Sequence, residues 1–599
     1  MAWTCGRCTL INESDTAAAC ELCESPRPAP PPQPARAPQR AAPTNTLPTA
    51  AAAQQRSQSL TTSRPPSQAA ASTGSRVDAA RLEAILRGIK REVEVLQGPP
   101  VKRQALGAGQ ANPKAAPAAT STSVKSESKT GKTRAAPKPQ MPLVGGSSQA
   151  PLRPLPATMP DDQAPASTPW FGGRIAETYV NGFPKRGFIA LSDLIDKATL
   201  KKACFSTYAM EEEWFLEQVP QHIKLCVARQ KPAGSPHSYL QMSDNLLFVF
   251  PRMPEFGVMH IKFMLLWYPR FLRVVITSAN LMRCDWEELA NVVFMQDFPI
   301  VNSNYRKRGP TSRGQYSEPM GVFGRELCWL LKTMGIPDEV IASVAKHDFR
   351  NARAHLVHSV PGSYGPLDLQ HGYQAVSAKI NAMFCGHLTG FLRNAVASFQ
   401  TASMGSVNVY WLRRLLAGFR GEDAFGVNLW RTVKEVDTSL MILYPSKATV
   451  DESRYGSAGA GTIFFDQKYW AKYPKQVLRD SRSTRRGLLQ HTKLVLVHRR
   501  EAQPALGRAK SLCITTPESA HGVMYLGSHN ASQSAWGTHT NQNRADYIFK
   551  INNWEVGVLF PFRALLEGER PDAGWPAMGM PFEYPPRPYP AGTVPHFSR

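Results

Sequence analysis

The chain has 599 residues and a formal net charge of +24. That length is too great for one hydrophobic core, so we expect more than one folded unit. No run approaches the about 18 apolar residues of a membrane helix and no secretory signal opens the chain, which predicts a soluble, intracellular protein without a membrane partner. Residues 1–167 carry a net charge of +9 and the remainder carries +15, a distribution that favours nucleic acid as a partner over charge that serves solubility alone.

Four of the ten cysteines form two closely spaced pairs near the start of the chain, Cys5-x2-Cys8 and Cys20-x2-Cys23. The other six are scattered, which is typical of a reducing compartment rather than of a disulfide framework. Two thiolate pairs at this spacing predict a tetrahedral structural zinc site. Zinc binding would supply the folding free energy for a segment that is too short to have its own core.

Trp3 and Asn12 complete a pattern that resembles the RanBP2-type zinc finger, over residues 1–27. Thr9 and Leu10 stand where the ubiquitin-binding members carry a Thr-Phe pair. The resemblance therefore implies ubiquitin as a partner of this finger. Binding of single-stranded nucleic acid, as in other members, is the alternative.

Residues 28–165 are rich in Pro, Ala, Ser, Thr and Gln and almost free of aromatic residues, which predicts a disordered linker. Apolar residues recur at helical spacing over 75–97, and this predicted helix either docks a partner or forms without one. Lys90 and Lys125 lie in the pattern of SUMO conjugation, a short motif that also occurs by chance. The Lys- and Arg-dotted stretch that ends at Lys138 favours a nuclear location.

From Trp170 onward, strand-like runs alternate with helical patterns. The runs NLLFVFP, RVVITSAN and NVVFMQDF predict strands, and FGRELCWLLKTMG predicts a helix. Such alternation indicates an α/β fold whose sheets are covered by helices. About 430 residues favour two such units.

One arrangement of residues occurs twice in this region. His-x-Lys is followed by an apolar strand, by a second apolar strand that ends in Ser-x-Asn, and by Trp six residues after the Asn. Two copies that share the order of these residues, the strand context and the Asn-to-Trp spacing argue against chance. The polar residues 499–518, which lengthen the second copy, predict a surface loop. The copies are His260, Lys262, Ser278, Asn280 and Trp286, and His491, Lys493, Ser528, Asn530 and Trp536.

The residue types in these copies suit phosphoryl chemistry. Residues i and i+2 of a strand face the same side, so each His projects together with its Lys. Two such halves, related by a pseudo-twofold axis, would bring two lysines and two amides together as a cage for a phosphoryl group. Two histidines on opposite sides of that group would allow in-line displacement, in which one attacks phosphorus and the other protonates the leaving oxygen.

Paired His-x-Lys motifs with a downstream Asn resemble the phospholipase D superfamily, most members of which carry an Asp five residues after the Lys. Trp267 and His498 occupy those positions here. With SANLMRCDW, HNASQSAWG and EVGVLF, residues 168–599 resemble the tyrosyl-DNA phosphodiesterases. The resemblance implies two pseudo-twofold-related α/β/α halves, 166–395 and 396–599, that share one active-site cleft.

The resemblance also implies a role for each site residue. His260 would be the nucleophile that forms a phosphohistidine, and His491 would be the acid for the departing tyrosine and then the base for water. The implied substrate is DNA with a 3′-phosphotyrosyl adduct of topoisomerase I or another 3′-blocking group. We expect the protein to be a nuclear monomer that uses no metal at this site. Glu555 would orient His260, and Asn291 would face His491. The residues implied to bind the phosphate oxygens are Lys262, Lys493, Asn280 and Asn530.

The stretch 468–487 interleaves aromatic residues with Lys and Arg. This composition suits single-stranded DNA, and a solvated loop is the alternative. The serines of the two motifs are further candidates for substrate contact. The predicted contacts are Tyr469, Trp470, Arg482, Arg485, Arg486, Ser278, Ser528 and Ser532.

Two other functions fit the same residues. One is a different phospholipase-D-like hydrolase that acts on phospholipid or as a nuclease, and the missing Asp and the basic aromatic stretch argue against lipid. The other is a non-catalytic adaptor that joins a ubiquitin-binding finger to a DNA-binding domain. The two intact His-x-Lys pairs argue against the adaptor.

Overall fold

The structure is a computed structural model, and it describes residues 3–4, 11–12, 166–232, 234–301, 318–365, 368–384, 390–422, 435–540, 548–572 and 574–598. β1 (Trp3–Thr4) pairs antiparallel with β2 (Ile11–Asn12). No helix in these ranges is both long enough and apolar enough to cross a membrane. The following predicted features lie outside the described residues: the zinc ligands Cys5, Cys8, Cys20 and Cys23, the helix over 75–97, the linker 28–165, and Lys90 and Lys125.

Eight strands form the first sheet. They are β3 (Arg174–Glu177), β4 (Lys202–Ser206), β5 (Lys224–Ala228), β6 (Tyr239–Ser243), β7 (Leu246–Val249), β8 (Phe263–Trp267), β9 (Phe271–Thr277) and β10 (Val292–Pro299). Their order is β3-β10-β9-β8-β4-β5-β7-β6, in which β4, β5 and β7 are parallel and β4, β8, β9 and β10 are antiparallel. All seven residues of β9 are buried, which is typical of a strand covered on both faces.

The remaining strands supply a second large sheet and two small ones. They are β11 (His355–Ser359), β12 (Gly362–Tyr364), β13 (Val396–Gln400), β14 (Ser403–Met404), β15 (Leu440–Tyr444), β16 (Phe464–Phe465), β17 (Leu478–Asp480), β18 (Leu494–His498), β19 (Ser511–Ile514), β20 (Gly522–Gly527), β21 (Thr538–Thr540), β22 (Ile548–Ile551), β23 (Glu555–Leu565) and β24 (Ala577–Gly579). The second large sheet has the order β17-β15-β13-β18-β20-β23-β19-β24, with β11 also beside β23. Its parallel strands β13, β15 and β17 and antiparallel strands β13, β18, β20 and β23 repeat the pairing directions of the first sheet.

Helices pack against the sheets through their buried apolar residues. The α-helices are α1 (Leu191–Leu194), α2 (Glu212–Gln218), α3 (Arg283–Glu287), α4 (Gly321–Thr333), α5 (Asp338–Val344), α6 (Gly372–Met383), α7 (Val409–Phe419), α8 (Val436–Ser439), α9 (Lys447–Asp451), α10 (Gln503–Arg508) and α11 (Gln533–Trp536). Short 3-10 helices span Glu318–Met320, Gly456–Ala460, Gln467–Lys472, Lys475–Val477, Arg500–Ala502 and Pro517–Ser519. Helix α4 shows why these segments pack on sheets, because Phe323, Leu327 and Leu331 form a buried stripe at helical spacing.

One hydrophobic core lies between the two large sheets and draws side chains from both. Phe294 of β10 and Phe560 of β23 stack across it, with 6.2 Å between their ring centroids. The starts of β8 and β10 and the end of β9 lie at one edge of the first sheet, since these strands are antiparallel neighbours. The equivalent ends of β18, β20 and β23 lie at one edge of the second sheet. These two edges carry both copies of the repeated motif.

The strands predicted from NLLFVFP, RVVITSAN and NVVFMQDF are confirmed as β7, β9 and β10, and the predicted helix is confirmed as α4. The surface loop predicted over 499–518 is wrong. Helix α10 lies there, and β19 inserts into the sheet with Leu512 and Ile514 fully buried, because its run SLCI is apolar enough to pair between β23 and β24. The predicted boundary after residue 395 also differs from the sheet boundary, since β11 belongs to the second sheet. The pseudo-twofold relation of two halves stays a prediction.

Candidate active site

The two His-x-Lys motifs lie directly before β8 and β18, rather than inside them as the sequence predicted. Lys262 Nζ donates to the carbonyl oxygen of His260 at 2.9 Å, and Lys493 Nζ donates to that of His491 at 2.6 Å. All four residues are buried, with His260 and His491 exposed by 8% and 4%. Each lysine therefore has a fixed place beside its histidine, and each histidine keeps only a narrow edge open to solvent.

Each histidine is anchored by the backbone of the other sheet. The N–H of His260 donates to the carbonyl of Trp554 at 2.9 Å, and the N–H of His491 donates to the carbonyl of Ala290 at 2.9 Å. Trp554 precedes β23, and Ala290 lies just before β10. The residue that follows each acceptor is therefore placed beside an imidazole from the opposite sheet.

Glu555, the first residue of β23, binds the imidazole of His260. Its Oε2 lies 2.8 Å from Nδ1 of His260 and accepts a hydrogen bond from Ser528 Oγ at 2.5 Å, while Oε1 accepts from Asn553 Nδ2 at 3.2 Å. Burial alone would raise the pKa of Glu555, but its attraction to His260 and their hydrogen bond outweigh burial and lower the pKa to about 2. An ionised carboxylate only accepts, so the proton of a neutral His260 lies on Nδ1 and the lone pair on Nε2.

The imidazole of His491 faces two oxygen atoms. Its Nδ1 lies 3.2 Å from Oδ1 of Asn291 and 3.1 Å from Oδ1 of Asp285, which is part of α3. Asn291 is the residue predicted for this position, but Asp285 was missed by the sequence analysis. The one signal for Asp285 was its place before the repeated Trp, where the second copy has Ala535.

The two lysines and two histidines form one electrostatic cluster. Burial lowers the pKa of Lys262 to about 8, against the attraction of Glu555 and Asp285. Burial and then repulsion by Lys262 hold the pKa of Lys493 well below its usual range. Burial also lowers the pKa of both histidines, and the lysine of the other motif adds to each shift. An anion between these groups would favour the charged form of both lysines, which is the behaviour of an oxyanion site.

The side-chain amides of the two predicted asparagines are held by backbone donors. Oδ1 of Asn530 accepts from the backbone N–H of Ser403 at 3.0 Å. Its Nδ2 is bonded to no residue in the described ranges. Oδ1 of Asn280 accepts from the N–H of Ala209 at 3.3 Å, and its Nδ2 donates to Asp285 at 2.8 Å. With their oxygens occupied by backbone donors, both amides offer N–H groups, which suits an anionic ligand.

Two of the serines predicted to contact substrate lie behind the site. Ser278 and Ser528 are fully buried, and their hydroxyls donate to Asn291 Oδ1 at 2.8 Å and to Glu555 Oε2 at 2.5 Å. The prediction of direct substrate contact is therefore wrong for both, because each hydroxyl is used to hold a partner of a histidine. Ser532 instead caps α11, where its Oγ accepts from the N–H of Ala535 at 3.2 Å.

The residues predicted to contact DNA in the stretch 468–487 differ in their burial and in their partners. Tyr469 and Trp470 are half-buried against a second hydrophobic core, which includes Phe465 and Tyr473. The ammonium of Lys475 lies 4.6 Å from the Trp470 ring centroid. Arg482 pairs with Asp480 at 2.9 Å and keeps 34% of its side chain exposed. Arg486 is exposed.

The prediction that Arg485 contacts DNA is wrong. Its guanidinium is buried, forms an ion pair with Glu177 at 2.9 Å, and donates to the carbonyl of Thr178 at 2.9 Å. It also lies 4.3 Å from the ring centroid of Phe188. These contacts join the segment before His491 to the first sheet, so Arg485 stabilises the packing of the two sheets.

Replacement of Arg485 by alanine is expected to lower the free energy of unfolding by about 3–5 kcal/mol, because the buried carboxylate of Glu177 loses its cation. Burial already raises the pKa of Glu177 to about 7, despite the attraction of Arg485. Urea unfolding at pH 8 measures the loss, with the exposed neighbour Arg486→Ala as the control, expected within about 0.5 kcal/mol of wild type. Equal stability of the two variants would contradict the structural role of Arg485.

The sequence model of the tyrosyl-DNA phosphodiesterase family matches residues 174–590. Tyrosyl-DNA phosphodiesterase 1 of Arabidopsis thaliana is 24% identical over 397 residues, which are 62% of this chain and 58% of that protein. Tyrosyl-DNA phosphodiesterase 1 of Drosophila melanogaster is 25% identical over 357 residues, 56% of this chain and 57% of that protein. The matched region thus spans less than two thirds of each of these relatives.

The crystal structure of the yeast tyrosyl-DNA phosphodiesterase has the same fold, with a TM-score of 0.51 and 17% sequence identity over 71% of this chain and 99% of that one. The mixed α/β fold predicted from the sequence is thereby confirmed. The family match includes both His-x-Lys motifs, Glu555 and the strands that carry them. From these two findings together, the chain belongs to the tyrosyl-DNA phosphodiesterase family.

Proposed function

We propose that the chain is a DNA-repair phosphodiesterase that removes 3′-phosphotyrosyl adducts of topoisomerase I, and related 3′-blocking groups, from DNA. The observation that carries this proposal is the single buried cluster of two lysines and two histidines, in which Glu555 holds His260 and leaves the lone pair of its Nε2 for attack. The family supplies the substrate class. DNA and a peptide derived from topoisomerase I are the corresponding partners.

In the first step, Nε2 of His260 attacks phosphorus and the bond from phosphorus to the tyrosine oxygen breaks. Burial lowers the pKa of His491 to about 4 before substrate binds, and the negative charge of the bound phosphate favours its protonated form. The protonated His491 gives its proton to the tyrosine oxygen, so tyrosine leaves as a neutral phenol with a pKa of about 10. The lysines and the asparagine amides stabilise the negative charge on the phosphate oxygens. The product is a 3′-phosphohistidine, with Glu555 compensating the positive charge on the imidazole.

In the second step, His491 changes from acid to base, and His260 changes from nucleophile to leaving group. His491, now neutral, takes a proton from water while the water oxygen attacks phosphorus. The phosphorus–nitrogen bond breaks, and His260 leaves as a neutral imidazole that keeps its proton on Nδ1, bonded to Glu555. The DNA ends in a 3′-phosphate, and His491 is again protonated for the next cycle.

A direct test of this function uses a single-stranded oligonucleotide that ends in 3′-phosphotyrosine, incubated with the protein in EDTA. Conversion to the 3′-phosphate is expected, because the lysines rather than a metal neutralise the phosphate in this mechanism. Phosphatidylcholine and an unmodified oligonucleotide are the controls. Hydrolysis of lipid or of internal DNA bonds in place of the adduct would favour the other phospholipase-D-like activities. DNA binding without any hydrolysis would favour the adaptor.

We also propose that Cys5, Cys8, Cys20 and Cys23 bind one structural zinc ion and that this finger binds ubiquitin. A set of four thiolates suits zinc. The pairing of β1 with β2, which flank the first two cysteines, supports a compact unit at this position. Nuclear location, the monomeric state, and SUMO conjugation at Lys90 or Lys125 stay predictions from the sequence.

Leu10→Ala is expected to weaken ubiquitin binding about tenfold, since this variant removes the apolar side chain predicted to touch ubiquitin. Isothermal titration of the zinc-loaded full chain with ubiquitin measures the affinity. Val322→Ala, which alters an exposed side chain on α4, is the control and is expected to bind like wild type. Equal affinity of the Leu10 variant and wild type would contradict the ubiquitin-binding role, and binding of single-stranded DNA by the finger alone would favour the alternative ligand.

A further inference from the structure

The two histidines of the site are held by different sets of groups. His260 bonds at Nδ1 to one carboxylate, Glu555. Nδ1 of His491 lies between the amide oxygen of Asn291 at 3.2 Å and the carboxylate of Asp285 at 3.1 Å. Oδ1 of Asn291 also accepts a hydrogen bond from Ser278 at 2.8 Å, so it is shared between two donors. The carboxylate of Asp285 is therefore a second acceptor that this imidazole has available.

Asp285 is fixed so that one of its oxygens points at His491. Its Oδ2 accepts from the backbone N–H of Asn280 at 2.6 Å and from Asn280 Nδ2 at 2.8 Å. Its carbonyl oxygen accepts from Asn291 Nδ2 at 2.8 Å. Asp285 is completely buried, and it thus connects both predicted amides of the first sheet to His491.

The charges of the cluster explain why a carboxylate is needed at this place. Lys262 and Lys493 both disfavour a proton on His491, and burial, the largest effect, acts in the same direction. Asp285 is the group that opposes them, because its negative charge lies 3.1 Å from Nδ1 of His491. A neutral amide such as Asn291 cannot supply that attraction. The attraction of His491 and Lys493 outweighs the burial of Asp285 and lowers its pKa to about 2, so it stays ionised and does not itself take the proton.

We propose that Asp285 is a positioning residue for His491, so that each histidine of the site has its own carboxylate: Glu555 for the nucleophile and Asp285 for the acid and base. This inference rests on the proposed function. Asp285 keeps the Nδ1 proton of His491 in place and favours the doubly protonated ring, whose Nε2 proton goes to the tyrosine oxygen as the bond from phosphorus to oxygen breaks. Asn291 then acts as the second, neutral acceptor.

A role in proton donation predicts a dependence on the leaving group. Tyrosine is a poor leaving group that gains from protonation, whereas 4-nitrophenol is more acidic and departs without it. The loss of Asp285 should therefore slow the release of tyrosine far more than that of 4-nitrophenol. The loss of Glu555 should slow both, because the nucleophile is the same for both substrates.

The experiment measures single-turnover release of the two phenols by the full-length protein, from oligonucleotides that carry 3′-phosphotyrosine or a 3′-(4-nitrophenyl) phosphate. For Asp285→Asn, we expect tyrosine release to fall about 10²-fold or more and 4-nitrophenol release to fall less than about tenfold. Glu555→Gln is the matched control and should lower both rates by similar factors. Retained 4-nitrophenol release also shows that the Asp285 variant is folded.

An equal loss on both substrates in Asp285→Asn, or no loss on either, would overturn the role of Asp285. If that variant does not fold, Asp285→Ser, which keeps a hydroxyl to accept from Asn280, should show the same selective loss, and an equal loss there would overturn the proposal. Failure of the wild-type protein to release either phenol would instead contradict the proposed function itself. The two failures are thus distinguishable.

Discussion

Replacement of His260 by alanine is expected to lower the turnover of a 3′-phosphotyrosyl oligonucleotide about 10⁴-fold or more, because the reaction loses its nucleophile. The lysines and asparagines would still bind the phosphate, so the affinity for substrate should change much less than kcat. Single-turnover rates and the equilibrium affinity measure these two effects separately. No covalent adduct between protein and DNA should form.

The control for this prediction is His237→Ala, which removes an exposed imidazole outside the cluster and should leave the rate within about twofold of wild type. Full turnover by the His260 variant would show that the roles are assigned wrongly. A covalent adduct on His491 in that variant would show that the nucleophile is the other histidine. Either result would also mean that the hydrogen bond between His260 and Glu555 does not serve to hold a nucleophile.

The repeated motif predicted most of the site because its residues lie at the ends of neighbouring strands. A Ser-x-Asn that follows one strand comes beside a His-x-Lys that precedes its antiparallel neighbour, and this relation can be predicted from sequence order alone. The roles of Glu555 and Asn291 came only from the family resemblance, since each binds a histidine on the other sheet. Neither the repeat nor the family resemblance predicted Asp285, and the second copy has no equivalent carboxylate.

The errors about single side chains share one physical cause, which is that composition does not reveal which charged or polar groups are buried. Arg485 looks like its exposed neighbour Arg486 in the sequence, and its partner Glu177 lies 308 residues away. From the sequence, the hydroxyls of Ser278 and Ser528 could contact either substrate or another side chain, and only the structure shows that they donate to Asn291 and Glu555. Membership of β11 in the second sheet likewise depends on pairing with β23, far along the chain.

Replacement of His491 by alanine should have a different effect from that of His260. Tyrosine release should slow by about 10²–10⁴-fold without the acid, yet it should continue, because a phenol with a pKa of about 10 can depart unassisted. Hydrolysis of the phosphohistidine then lacks its base. We therefore expect the His491 variant to accumulate a covalent complex with DNA, whereas wild type should not.

We propose that His260 and His491 act on one phosphate in separate roles. Mass spectrometry of the His491→Ala protein after reaction with the 3′-phosphotyrosyl oligonucleotide separates these roles, with His260→Ala/His491→Ala as the control. We expect a phosphate-linked nucleotide on the peptide that contains His260 and no adduct in the double variant. An adduct on any other residue, or hydrolysis by the His491 variant at the wild-type rate without a detectable adduct, would contradict it.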